Sequence, residues 1–258
     1  MKLLRWSSLF LSALAAACSS SQNAVEDASK TPQLVTPPAE PAPLPEIPGG
    51  VLRVGGDMEA KVEKRAGRGV DGADVYVFGD CNITTALPEG YPAPTPPGAI
   101  EIKLYPRARR AEVTGNTNPD LGMFFGFWPL FQHIKRNEIA MTSPVELDYR
   151  GFNDRGRVST RGWTMSFLYR EPEMGAVGND GDVAITDRSP VAVISKGQKG
   201  PYFFERADST AQELVKWVEA SSEWEVAGAP RALYYNGPDQ DNSDKWSEVQ
   251  VPIRKRAQ

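Results

Sequence analysis

The sequence predicts an α+β domain in which the order β-β-α-β-β occurs twice and closes into a distorted antiparallel β-barrel with two outer helices. Three observations lead there. Short segments such as Ile100-Glu-Ile-Lys-Leu-Tyr105 alternate apolar and charged residues, the two-residue period of a half-buried strand. Two longer stretches switch to helical spacing, one through Phe124, Phe127, Trp128, Phe131 and Ile134, the other through Leu214, Trp217 and Val218. The whole pattern recurs after roughly 80–90 residues, and closing the doubled sheet would leave no exposed edge.

The first half opens with strand Ile100–Tyr105, which Pro106 breaks, and continues as Arg109–Thr114. In the aromatic stretch the five apolar residues share one arc at ~100° per residue, with Met123 and Leu130 at its edge. Pro129 removes a backbone donor, so the helix should kink there or begin near Trp128. A polar turn, Lys135 to Glu138, feeds a strand Glu138–Tyr149, in which Pro144 implies an edge or a bulge. Trp163–Tyr169 completes the half. The second half offers strands Asp182–Ile185 and Pro190–Ile194, with Lys196-Gly-Gln-Lys-Gly200 read as a turn. A helix capped by Asp208 or Ser209 follows, then strands Ala232–Tyr235 and Trp246–Ile253. This domain occupies residues 99–256. Ahead of it, residues 51–98 form an elaboration with a strand Ala73–Phe78, a short charged helix Met58–Arg65, and breakers at Gly67–Gly72 and Pro88–Gly98.

The chain has 258 residues, a net charge of −4 and 40% hydrophobic residues, which suits one ordinary domain with extensions. Nothing in that balance points to nucleic acid, whose binders carry a basic patch. Residues 1–18 read as a targeting segment: Lys2 and Arg5 open it, Leu3–Ala17 is mostly apolar, and Ala15-Ala-Ala-Cys18 resembles a bacterial lipoprotein signal. Leu14 stands one place before the position where such signals carry leucine, which leaves ordinary secretion as the alternative. Residues 19–50 are rich in Ser, Pro, Ala and acids, too poor in apolar surface to fold, and read as an extended spacer. The expectation is a monomer lipid-anchored through Cys18 in the cell envelope, at the outer membrane or periplasmic face. With Cys18 lipidated, Cys81 has no partner, and no positive charge or helix start beside it would activate its thiol.

His133 is the only histidine, and with one unpaired cysteine it excludes a His/Cys metal site. No Gly-x-Ser-x-Gly elbow and no glycine-rich phosphate loop before a helix is present. No residue is therefore assigned a catalytic or metal-binding role. Glu138 and Glu248 are strand carboxylates on which a hydrolase reading could be built.

Four blocks carry a resemblance. Ile139-Ala-Met-Thr-Ser-Pro-Val145 after an aromatic helix, Ile100-Glu-Ile-Lys-Leu-Tyr-Pro-Arg107, Trp163–Leu168, and Ala232-Leu-Tyr-Tyr-Asn-Gly-Pro238 followed by Trp246–Ile253 occur in the order found in the SOUL haem-binding protein family. The resemblance covers about residues 100–253. It implies a barrel like that of gyrase-inhibitor-type ligand-binding domains, with haem or another tetrapyrrole as ligand and no catalysis. Phe124, Phe127, Trp128, Phe131, Met141 and Met165 would line the cleft, although the same side chains could simply form the core. His133 would be the obvious axial ligand, yet it lies ~180° from Phe124 and should face solvent unless Pro129 resets the helical phase. Arg107, Arg109, Arg110 and Lys196 could meet the propionates. A small-molecule hydrolase, or a ligand-free interaction module, is the alternative on the same fold.

Overall fold

A computed structural model describes residues 44–257; the signal segment, Cys18 and residues 19–43 of the spacer lie outside the described residues. In chain order the elements are β1 (Val51–Gly56), β2 (Glu63–Arg65), β3 (Val75–Phe78), β4 (Cys81–Ile83), β5 (Ala99–Tyr105), β6 (Ala108–Gly115), α1 (Pro119–Arg136), β7 (Val145–Tyr149) and β8 (Trp163–Leu168). They continue as β9 (Gly178–Asp180), β10 (Val183–Arg188), β11 (Val191–Lys199), α2 (Phe204–Ala220), β12 (Trp224–Val226), β13 (Arg231–Tyr234) and β14 (Trp246–Lys255). The fold is α+β, dominated by one antiparallel sheet with two helices.

That sheet has 11 strands in the order β1-β5-β11-β14-β13-β7-β8-β6-β10-β9, with β12 added on β14. Exchanging β5, β6, β7 and β8 for β10, β11, β13 and β14 turns the central order into its own reverse. The sheet does not close, which corrects the barrel expectation: β1 and β9 each have one neighbour. Each edge is blunted locally. β9 is three residues long, and β1 slips register between Arg53 and Gly55. Short and bulged edges discourage further pairing, so closure is not needed to protect them.

Register explains the two faces. Val249, Ala232, Leu147, Met165 and Val113 stand opposite one another across β14, β13, β7, β8 and β6. With Ile102, Ile194 and Val251 they belong to one apolar core beneath α1 and α2. One residue along, the pleat turns the side chains over. There the opposed row is Gly197, Glu248, Leu233, Glu146, Ser166 and Glu112. The helices thus share the apolar face, and the other face is polar.

α1 runs unbroken from Pro119 to Arg136 through Pro129, and neither kinks into two nor starts at Trp128. Asn118 sets its start, accepting from Asp120 N at 2.8 Å, with Pro119 in the first turn where its missing N–H costs nothing. α2 begins at Phe204, earlier than the expected cap. Asp208 lies inside it and accepts from Val158 N at 2.8 Å. The first amide of α2, Phe204 N, instead donates to Asp120 of α1 at 2.8 Å. The predicted strand Glu138–Tyr149 shortens to Val145–Tyr149. Its first residues bond outward, Thr142 Oγ1 to Leu168 O (2.6 Å), Ser143 N to Ala86 O (2.8 Å) and Ser143 Oγ to Tyr235 O (3.0 Å), which leaves no ladder to extend. Residues 196–199, read as a turn, continue β11 opposite Val249 to Trp246. Met58–Arg65 is not helical; its end is β2.

β2, β3 and β4 form a separate small sheet, and residues 84–98 return from it as a strap across the polar face. Tyr76, Cys81 and Ile83 pack there with Tyr105, Val193, Leu233, Tyr235 and Trp246 in a second apolar cluster. Cys81 is fully buried, and burial pushes its thiol up from the ordinary range.

Candidate functional site

α1 buries the side of itself that its aromatic residues do not occupy. Pro119, Gly122, Gly126, Leu130, His133 and Ile134 face inward. Gly122 and Gly126 bring the helix so close that an added Cβ would lie 2.4 Å from Trp163 Cε2 and 2.8 Å from Trp163 Cζ3. Phe124 and Trp128 are left 78% and 61% exposed, with Leu121 and Phe125 beside them on the same outer side. Phe127 and Phe131 sit at the boundary, stacked on each other with ring centres 5.8 Å apart. Trp128 stacks on Phe131 and Phe127 meets Phe167 edge-on. Met165 is buried under Gly126, and Met141 lies on the coil before β7. The predicted cleft residues are therefore split between an outer ridge and the core.

His133 is buried, contrary to the expectation that it faces solvent. Its Nδ1 lies 2.6 Å from Asp180 Oδ2 and its Nε2 lies 2.7 Å from Tyr169 Oη. Hydrogen bonds from His133, Arg136 and Asn137 hold the Asp180 carboxyl down at about 2. Both ring nitrogens are thus engaged. Two hollows that border the strap measure about 10 and about 270 Å³; Met141, lining the smaller, is the only predicted ligand residue on either. Drug-sized ligand pockets run ~300–1,000 Å³. Arg107 and Arg109 pair with Asp187, Arg110 with Asp148, and Lys196 with Glu213. An enclosed haem ligated by His133 does not fit these residues.

The polar face holds the chain's strongest electrostatics, which sequence reasoning reduced to one bare mention of Glu248. Glu248 is fully buried and accepts from Lys103 Nζ (3.1 Å), Ser195 Oγ (2.5 Å), Tyr235 Oη (2.6 Å) and Thr95 N (2.7 Å). Burial pushes its carboxyl up, but the Lys103 charge and these donors outweigh it, leaving it at about 2. Glu146, also fully buried, takes both oxygens to Arg188 Nη1 (2.8 and 2.7 Å), and Tyr91 Oη bridges the pair at 3.2 and 2.6 Å. Burial raises the hydroxyls of Tyr91 and Tyr235 far above their ordinary range. A carboxylate held ionised by this many donors is a poor proton acceptor or nucleophile. Two of those partners, Tyr91 and Thr95, come from the strap, and Trp246 Nε1 donates to Thr95 O at 2.8 Å. The strap covers part of the polar face. Among the described residues no group of three His, Cys, Asp or Glu is placed to hold a metal, and no helix is long and apolar enough to cross a membrane.

The class these features define is an α+β fold with an open antiparallel sheet and both helices on one face. The C-terminal domain of EcmrR has a similar fold, with a TM-score of 0.50 and 17% identity over 61% of this chain and 98% of that one. EcmrR in its DNA complex gives 0.51 and 16% over 61% of this chain, and this chain spans only 57% of that protein's length. A hydrolase from Listeria innocua gives 0.45 and 14%, over 63% and 94%. At such identities the likeness is one of fold. No protein-family model and no curated protein sequence matches the chain.

Proposed function

We propose that the chain is a non-catalytic binding module, exported and tethered by a lipid at Cys18, that works through the outer face of α1 rather than through its sheet. One observation carries this reading. The aromatic side of α1 stands open while the strap closes the polar face of the sheet. Burying one large apolar side chain is worth ~1.5–3 kcal/mol, so leaving several exposed signals a surface with an occupant. A second reading keeps the haem-type ligand of the SOUL resemblance, laid flat on the ridge without an axial histidine. The stacked, half-open rings of Phe127, Trp128 and Phe131 favour it. Descent of the domain from a duplicated β-β-α-β-β unit, as that kinship would have it, is likewise our proposal, and the palindromic strand order supports it.

Hemin titration of paired variants tests the assignment. The double variant Phe124→Ser, Trp128→Ser should melt like the parent and lose any hemin-induced Soret shift. Glu248→Gln should melt lower, because removing one partner of a buried ion pair costs ~3–5 kcal/mol, and should keep the shift. The opposite pattern would move the site to the sheet. No shift in any variant would remove the tetrapyrrole and leave the module without it.

A further inference from the structure

We infer that the outer face of α1 is a second, non-covalent membrane contact, seated at the headgroup–acyl boundary of the lipid surface that carries the anchor. The inference rests on the tethered-module reading above. Leu121, Phe124, Phe125 and Trp128 are each more than half exposed and follow one another by three, one and three residues, a single helical stripe. The stripe continues as Gln132 and Lys135, so its C-terminal end is polar and basic, with Arg136 beside it. Exposed Phe203 precedes Phe204, whose amide donates to Asp120 in the first turn of α1. Trp, Phe and Leu on one side of a helix with cations at its margin is the composition that lies in a bilayer interface.

Shape and tether favour lipid over protein. The rings project from a convex helix, so a protein partner would need a groove cut to them, whereas a fluid interface needs none. Twenty-five residues separate Cys18 from Leu44. In extended polyproline form, at ~3 Å per residue, they would let the domain reach ~75 Å from the surface and return to it. Tethering raises the effective concentration of the face at the lipid, so weak insertion suffices. Insertion would also set the domain's orientation, helices toward the membrane and strap away from it.

The test places the exported chain on phosphatidylethanolamine–phosphatidylglycerol vesicles, with and without brominated lipid. Among the described tryptophans Trp128 alone is exposed. Its emission should move to shorter wavelength and be quenched by the brominated lipid, and Trp128→Phe should lose both effects. If mass analysis finds no lipid at Cys18, the same chain is added as soluble protein. It should then still float with the vesicles, and Phe124→Glu should cut the floating fraction about tenfold at an unchanged melting temperature. Unquenched Trp128 in a chain that is anchored, or failure of the unlipidated chain to float, overturns the inference. So does a dimer in sedimentation, or bound hemin, that shields Trp128 from the brominated lipid.

Discussion

Glu248 is the buried carboxylate through which acid should act on stability, with the more exposed Asp180 titrating in the same range. The folded carboxyl of Glu248 sits at about 2, whereas a glutamate in an unfolded chain titrates near ~4.3. As pH falls, the unfolded chain takes the proton first, so the stabilisation is complete above ~4.3 and is lost on the way down to about 2. Thermal melts between pH 2 and 6 should show the midpoint falling through that window. Glu248→Gln should flatten most of the fall, and an equally steep variant would place the acid response elsewhere. No local pattern marks Glu248's setting. Lys103 and Ser195 lie on two other strands, Tyr235 just past the end of β13, and Thr95 comes from a proline-rich stretch read only as a breaker. Lys103 even counted as the solvent side of a half-buried strand, because alternation marks which residues share a face and not whether another segment covers it. His133 is the same lesson. Its burial depends on Asp180 and Tyr169, partners 47 and 36 residues away that no local pattern names.

At the scale of elements, strand positions were the most legible feature, since the two-residue alternation of the sequence marks β5, β8 and β14. α1 was legible as a helix but not in its orientation. Hydrophobic spacing finds the amphipathic arc and assigns it inward. The buried side mixes Leu130, His133 and Ile134 with two glycines, and Gly122 and Gly126, four apart, let α1 settle on Trp163 and Met165. The glycine pair followed by a tryptophan on a neighbouring strand was the available signal. Two substitutions separate the faces. Gly126→Ala should lower stability by ~1–3 kcal/mol, because its Cβ would meet the Trp163 ring at 2.8 Å and Met165 Cβ at 3.0 Å in a core with no slack. Phe124→Ala, on a residue that is 78% exposed, should change it by less than ~0.5 kcal/mol. Chemical denaturation of the two variants measures both, and a costly Phe124→Ala would mean the aromatic ridge is core after all.

Across the whole molecule, the strap is what covers the buried carboxylates of the polar face. Residues 51–98 were the part of the sequence with least periodicity, and they supply β1 and the lid of the second apolar cluster. Prolines at 88, 92, 94, 96 and 97 remove the amides that a ladder would use, so the strap binds through a few specific groups. Its anchor is Thr95, whose amide donates to a fully buried carboxylate and whose carbonyl accepts from Trp246. A loop amide in that setting should exchange with solvent only when the strap lifts. Hydrogen exchange should therefore find Thr95 protected far beyond the exposed Gly90. Tyr91→Phe removes the hydroxyl shared by Glu146 and Arg188, at ~1–3 kcal/mol, and should speed Thr95 exchange more than that of β11 or β14, because it loosens the strap and leaves the sheet intact. If Thr95 instead exchanges as fast as Gly90 in the parent, the polar face is open in solution, and a ligand for Glu146 and Glu248 would have to be sought there rather than on α1.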